Sequence, residues 1–445
     1  MSKTKMRFWS GLTTIGGNIV EICYGDDRVI FDFGRAYNPA DVLIATAQGR
    51  DGCRVADMLK LKMIPAMDGI YSKMDLEKVV GVRPTAYEDS KQNTAVFLSH
   101  LHLDHMGAID VLAPALPVYM SADGAALYKE LMKTGEGPFS QAIHAFNYEE
   151  PVSIGAINVT GYATDHDVFG STAILVETPD ICIGFSGDIR MHGQRPELNR
   201  HWIQAMKAKS LDYLLMEGTA FWAPRDDGSS DNKFIQISES EVAATIIDRI
   251  AGAEGVAFFN FYHRNLDRMM NLITAARATG RDIVFEPATG YLAATFYPDA
   301  KFKLLVQESP NSQEDWEKEL YARYPAVTVA EINKTPKAYL VQNSFANIFS
   351  LMDYTAAGSI YIHTNGVPLG PFDPAFGSMQ AFLGTLGIAF ETVSSSGHGD
   401  VPAILDIING ISPKVLVPWH STAPGEMIPL DKSQRVMIPE LGRWY

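Results

Sequence analysis

Ala95-Val96-Phe97-Leu98-Ser99-His100-Leu101-His102-Leu103-Asp104-His105 is the stretch that decides the fold. An apolar strand running into His-x-His puts both imidazoles on one face, because strand side chains alternate with period two. Asp104 and His105 follow where the chain turns, ahead of a helix expected around Gly107-Ala108-Ile109-Asp110-Val111-Leu112. Three imidazoles and a carboxylate are more than one tetrahedral zinc with an open position takes, and they suit two metals. The plain alternative is a surface loop rich in histidine. With 11 histidines in 445 residues, chance seldom places three within six positions.

Working outward, other ligand types stand at the ends of other apolar strands. His166 opens Asp165-His166-Asp167-Val168-Phe169-Gly170 and is the expected third nitrogen for the metal of His100 and His102. Asp188 ends Phe185-Ser186-Gly187-Asp188, where a carboxylate can bridge two ions, although Gly-Asp after a strand is often only a turn. His420, in Val417-Pro418-Trp419-His420, is expected to join Asp104, His105 and Asp188 around the second metal. Asp32 ends Val29-Ile30-Phe31 and is expected to orient a ligand from behind. A sheet delivers ligands to one edge in this way. Two cations ~3.5–4 Å apart lower the pKa of a shared water and clamp an in-line displacement. Imidazole with carboxylate points to zinc first and manganese second.

The composition sets outer bounds. A chain of 445 residues predicts two domains. No apolar signal-peptide core follows the charged N-terminus, and no apolar run approaches the ~20 residues of a membrane span. Cys23, Cys53 and Cys182 are odd in number and widely spaced, which predicts reduced thiols and a cytoplasmic location and excludes a cysteine-built zinc site. A net charge of −15 disfavours nonspecific coating of nucleic acid, but not a local grip on a strand.

The first third reads as β-rich. A hairpin is expected from Ile19 to Phe33 around Gly25-Asp26-Asp27, then a long mixed connection from Arg35 to Asn93 with a helix near Val55 to Lys62. A helix from Ala122 to Met132 and strands near Ile157, Thr172 and Ile181 come next. From the capping box Ser238-Glu239-Ser240-Glu241 onward, helix and strand alternate, which implies a parallel sheet covered by helices. The polar stretch from Arg225 to Asn232 is the expected hinge into this region, and Pro368 to Pro374 the expected way out.

His100-x-His102-x-Asp104-His105, His166, Asp188 and His420 together resemble the metallo-β-lactamase superfamily. Leu214-Leu215-Met216-Glu217-Gly218-Thr219, Ser396-Gly397-His398 and Pro418-Trp419-His420 are similar to the three special motifs of its β-CASP nuclease branch. Histidine in the last of these is the RNA-processing form. Gly11-Leu12-Thr13-Thr14-Ile15-Gly16-Gly17-Asn18 and Asp32-Phe33-Gly34 resemble the opening of the RNase J family. The resemblance implies an α/β fold: an αββα metallo-β-lactamase sandwich in two sections, residues 1–223 and 375–445. A parallel-sheet β-CASP domain, residues 224–374, lies between them. It implies a two-metal hydrolase of single-stranded RNA, exonuclease or endonuclease, with Asp104 in the catalytic machinery. Glu217 would orient a ligand histidine or the attacking water, and His398 would contact the scissile phosphate or assist proton transfer. Homo-oligomer formation is a further expectation. Asp167 departs from the serine that the family often has after this histidine.

For the RNA strand, Arg264 and Arg268 are the first candidates, with Lys207, Lys209, Lys301 and Lys303 behind them and Phe261, Tyr262 and Tyr291 as stacking aromatics. Charged residues on helices are more often a solvated face. Two other functions compete. A small-molecule metallo-hydrolase (thioesterase or phosphodiesterase) suits the acidic charge but has no use for the insert. A catalytically inactive binding subunit would be expected to lack metal ligands, and here every ligand position is filled.

Overall fold

Gly25 and Asp26 turn the chain so that Ile19–Tyr24 pairs antiparallel with Asp27–Phe31, the hairpin read from the sequence. The computed structural model describes residues 3–36, 48–137, 141–222, 237–306 and 314–445. The polar stretch from Arg225 to Asn232, with the boundary at 223/224, lies outside these described residues.

The hairpin belongs to a six-stranded sheet whose strands keep sequence order, from Lys5–Ser10 to Ile143–Phe146. In it, Asp27–Phe31 runs parallel to Asn93–Phe97. A seven-stranded second sheet has Val415–Trp419, Tyr213–Glu217 and Cys182–Phe185 side by side and parallel. Phe8, Val20, Phe31 and Phe97 of the first sheet meet Val176, Phe185, Leu215 and Trp419 of the second in one buried layer. Alternation sends Ala173, Leu175, Leu214 and Leu416 to the opposite face, against Trp202, Met206 and Ile404 of the helices Pro196–Ala208 and Val401–Ile411. Helices cover the other side of the first sheet as well, giving an αββα sandwich.

The third sheet has seven strands, all parallel, with Ala257–Phe261 near its centre. Its two faces alternate as the sequence requires. Phe259, Ile283 and Leu340 pack one way; Phe258, Val284 and Val341 pack the other, against Phe376, Met379 and Leu383. Two expectations need correction. Pro368 to Pro374 does not lead out of this region, because Asp373 caps the helix Pro374–Leu386 and Pro374 is its first residue. The sheet continues through Ala389–Thr392, so the insert runs past residue 374. The expected helix at residues 107–112 is two short turns, Leu103–Met106 and Ile109–Val111.

Arg268 needs correction as well. It is fully buried and binds Glu239 with Nε at 2.7 Å and Nη2 at 2.8 Å, with Thr364 and Asn365 as further partners. Glu239 also takes a bond of 2.8 Å from Arg190, which in turn reaches Asp165. A guanidinium so enclosed cannot touch RNA. It ties the helices Glu239–Ala251 and Leu266–Ala278 to each other, and Glu239 links them through Arg190 to the Asp165 loop of the sandwich.

Candidate metal centre

Parallel pairing brings the C-terminal ends of several strands to one edge, and the residues just past those ends form the centre. Asp32 follows Asp27–Phe31, His100 and His102 follow Asn93–Phe97, Asp188 follows Cys182–Phe185, and His420 follows Val415–Trp419. His166 follows Ile157–Ala163, and Glu217 closes its own strand. Two glycines let the Asp104 turn settle into this edge. A Cβ on Gly34 would lie 1.6 Å from the Asp104 carbonyl oxygen, and one on Gly16 would lie 2.3 Å from the Asp104 Cβ. Asp32 (φ 56) and His420 (φ 51) take the left-handed backbone region, uncommon for residues other than glycine and often seen at functional sites.

Three overlapping donor groups result: His100, His102, His166 and Asp188; Asp104, His105, Asp188 and His420; and Asp188, Glu217, His398 and His420. In the first, His102 Nδ1 stands 3.1 Å from both His100 Nε2 and His166 Nε2. In the second, His105 Nε2 and His420 Nε2 are 3.3 Å apart, and His420 Nε2 is 3.2 Å from Asp104 Oδ2. Asp188 is common to all three. Its Oδ2 lies 3.0 Å from His105 Nε2 and 3.6 Å from both His100 Nε2 and His420 Nε2. That oxygen is buried and makes no hydrogen bond among the described residues, a costly state for a carboxylate that a bound cation relieves. The donor chemistry therefore fits divalent metals, with imidazole and carboxylate oxygen in each group.

The outward nitrogens of four imidazoles are held by protein groups, which fixes ring orientation and leaves the inward lone pairs for a metal. His105 Nδ1 donates to Asp32 Oδ2 at 2.7 Å, and Asp32 is itself bonded by the Ser99 backbone N–H and hydroxyl. His166 Nδ1 donates to the Gly397 carbonyl at 2.5 Å. His100 Nδ1 pairs with Ser99 Oγ at 2.9 Å, and His420 Nδ1 with Thr219 Oγ1 at 2.7 Å. Ser99, Thr219 and Gly397 were outside the expected site. Each is a chain neighbour, within two residues, of one that was inside it, and that adjacency is the signal in the sequence.

Burial disfavours charge on Asp188, but His105, His420 and His398 outweigh it and hold its carboxyl well below the usual range. Burial likewise opposes charge on His398, yet Glu217 and Asp188 raise its pKa to about 10. Glu217 Oε1 stands 3.3 Å from His398 Nδ1, while the backbone N–H groups of Ile189 and Thr219 fix the Glu217 carboxylate. The partly exposed side chains are His102, Asp104 and His398, at 19%, 21% and 22%. They mark the open side of the centre. Tyr262 from the insert faces them there, its ring 5.3 Å from that of His102.

Arg264 is not an RNA contact. It is buried, and its Nη1 donates to the carbonyl of Leu101, between the two ligand-type histidines, at 2.5 Å. Phe261 is core, and Tyr291 bonds Glu130 and Lys133. Lys209 and Lys303 are paired with Glu177 and Asp282.

The family model described as Metallo-beta-lactamase superfamily matches residues 83–232, the segment that carries His100, His102, His105, His166 and Asp188, and the fold and donor set are similar to that superfamily. The chain is similar to curated relatives that are ribonuclease J proteins. It is 24% identical over 352 residues to Ribonuclease J of Mycolicibacterium smegmatis, covering 74% of this chain and 58% of that protein. With Ribonuclease J of Thermus thermophilus it shares 22% identity over 437 residues, 94% of this chain and 68% of the other. The chain thus spans little more than half the length of the first of these relatives. A crystal structure of a protein of unknown function from Enterococcus faecalis V583 matches with a TM-score of 0.80 and 26% identity, over 100% of this chain and 99% of that one.

Proposed function

We propose that this chain is a metal-dependent phosphodiester hydrolase acting on single-stranded RNA, in the manner of ribonuclease J, as exonuclease, endonuclease or both. The observation that carries the reading is the buried Asp188 oxygen, unpartnered by hydrogen bonds and shared by all three donor groups. His100, His102 and His166 with Asp188 would hold one divalent ion, and Asp104, His105 and His420 with Asp188 the other, zinc first and manganese as the alternative. When bound, two such ions supply a water of lowered pKa and positive charge for the phosphate oxygens.

The protein's own groups do the remaining work. Asp32, Ser99, Thr219 and the Gly397 carbonyl keep the imidazoles oriented. Glu217 favours the protonated form of His398, so that a proton sits on the imidazole at the open side of the centre, where the scissile phosphate would arrive. Ligands that are mostly buried suit one strand rather than a duplex. The third sheet and its helices would form the β-CASP domain that closes over the strand. Free cysteines and an RNA substrate support a cytoplasmic location.

The test is end-labelled, 5′-monophosphorylated single-stranded RNA with Zn2+ or Mn2+. Degradation is expected, mononucleotides marking the exonuclease mode and discrete fragments the endonuclease mode. A metal-loaded protein that leaves RNA intact while hydrolysing a small thioester or phosphodiester would sink the proposal. His398→Gln is expected to keep the wild-type metal content and lower the rate by ~10²–10⁴-fold, the span of a positioned acid–base group. Metal content by mass spectrometry separates this from a lost ligand.

A further inference from the structure

Asp167 follows His166 and is no part of the ligand set expected from the sequence. Its Oδ1 lies 3.3 Å from His166 Nε2, the nitrogen that faces His102 Nδ1, and 3.5 Å from His102 Nε2. The first distance is close to the 3.1 Å that separates the inward nitrogens of the neighbouring imidazoles from one another. Oδ1 is buried and makes no hydrogen bond among the described residues, the same condition as Asp188 Oδ2. A Cβ on Gly397 would lie 2.5 Å from this oxygen and 2.9 Å from the His166 ring, so the carboxylate keeps its place beside the imidazole only because residue 397 is glycine.

Hydrogen bonding to His102 from outside would account for only part of this, since 3.5 Å exceeds a normal bond. Resting on the two-metal reading above, we infer that Asp167 is a further ligand of the cation held by His100, His102, His166 and Asp188. Five protein donors exceed the four of a tetrahedral zinc site. A second carboxylate oxygen in the set favours a harder cation such as Mn2+ relative to Zn2+. The first metal position of this chain is thereby distinguished from the second.

Co2+ is the probe, because its visible absorption strengthens as coordination number falls toward four. The full chain is compared with Asp167→Ser and with the near-isosteric Asp167→Asn. Cooperative thermal unfolding of each before Co2+ addition serves as the control for folding. In Asp167→Ser, the Co2+ bands are expected to intensify and shift toward the four-coordinate pattern. Affinity at this position falls by at least ~10-fold, the lower end of what losing even an outer partner costs. The ratio of Mn2+ to Zn2+ affinity falls with it, and Asp167→Asn moves the same way through loss of charge. Weaker binding with an unchanged spectrum in both variants would overturn the inference, since Asp167 would then act on His102 only from outside. Unchanged affinity and spectrum would overturn it too. Wild-type protein that binds no Co2+ would overturn this inference and the metal reading together. Protein that binds Co2+ normally yet spares RNA would overturn the proposed substrate alone.

Discussion

Asp188→Ala is expected to abolish hydrolysis and to empty both cation positions. Oδ2 of Asp188 is within 3.0–3.6 Å of ligand nitrogens from both donor groups, so no neighbour can replace it for either ion. Bound cations would stabilise a developing negative charge by several kcal/mol, and each 1.4 kcal/mol is tenfold in rate, so a fall of ~10³-fold or more is expected. A second measurement is independent of turnover. Metal at 100 times its dissociation constant should stabilise the wild-type fold by ~2.7 kcal/mol for each site, and that increment should vanish in the variant. Retention of two metal equivalents, with a rate within tenfold of wild type, would show that Asp188 does not bridge.

The largest effect on stability is expected at Glu239, which is in none of the donor groups. Its carboxylate lies between Arg268 and Arg190, all three side chains being almost wholly buried. Glu239→Gln would leave the Arg268 guanidinium with no compensating charge and Arg190 with Asp165 as its close partner, and breaking a buried pair this way costs ~3–5 kcal/mol. Denaturant unfolding should show the loss as a lower midpoint. A change under ~1 kcal/mol, the range of exposed pairs, would mean that water reaches the network. Acid has a related effect. Burial alone would raise the Glu239 carboxyl, but Arg268 and Arg190 hold it below its ordinary 4.5. Its contribution to stability is therefore complete above pH 4.5 and declines as pH falls through the depressed value.

Much of the centre could be read from the chain because strand ends announce themselves: an apolar run, then histidine or aspartate. Asp32, His100, Asp188 and His420 all follow that pattern. The arginines could not be read in the same way. Arg264 and Arg268 look like a cationic helix start in a linear text, and only the packing of two lobes turns them inward. Proline misled at 368–374, since one residue type both breaks a helix and begins one, and Asp373 decides which. The helix Pro196–Ala208 escaped notice although Trp202, Ile203 and Met206 give it an apolar stripe; the polar residues between them hide it. Asp167 was visible as an oddity, but its burial between two imidazoles depends on Gly397, some 230 positions away.

Arg264 has a mechanical corollary. It is carried by the insert, yet it grips the peptide oxygen of Leu101 in the sandwich. Any swing that widened the gap for an incoming chain would pull on the linkage joining His100 to His102. Admission of polymer and retention of the ions would then share a single tether, so wide gaping in this molecule would carry a risk of shedding its metals.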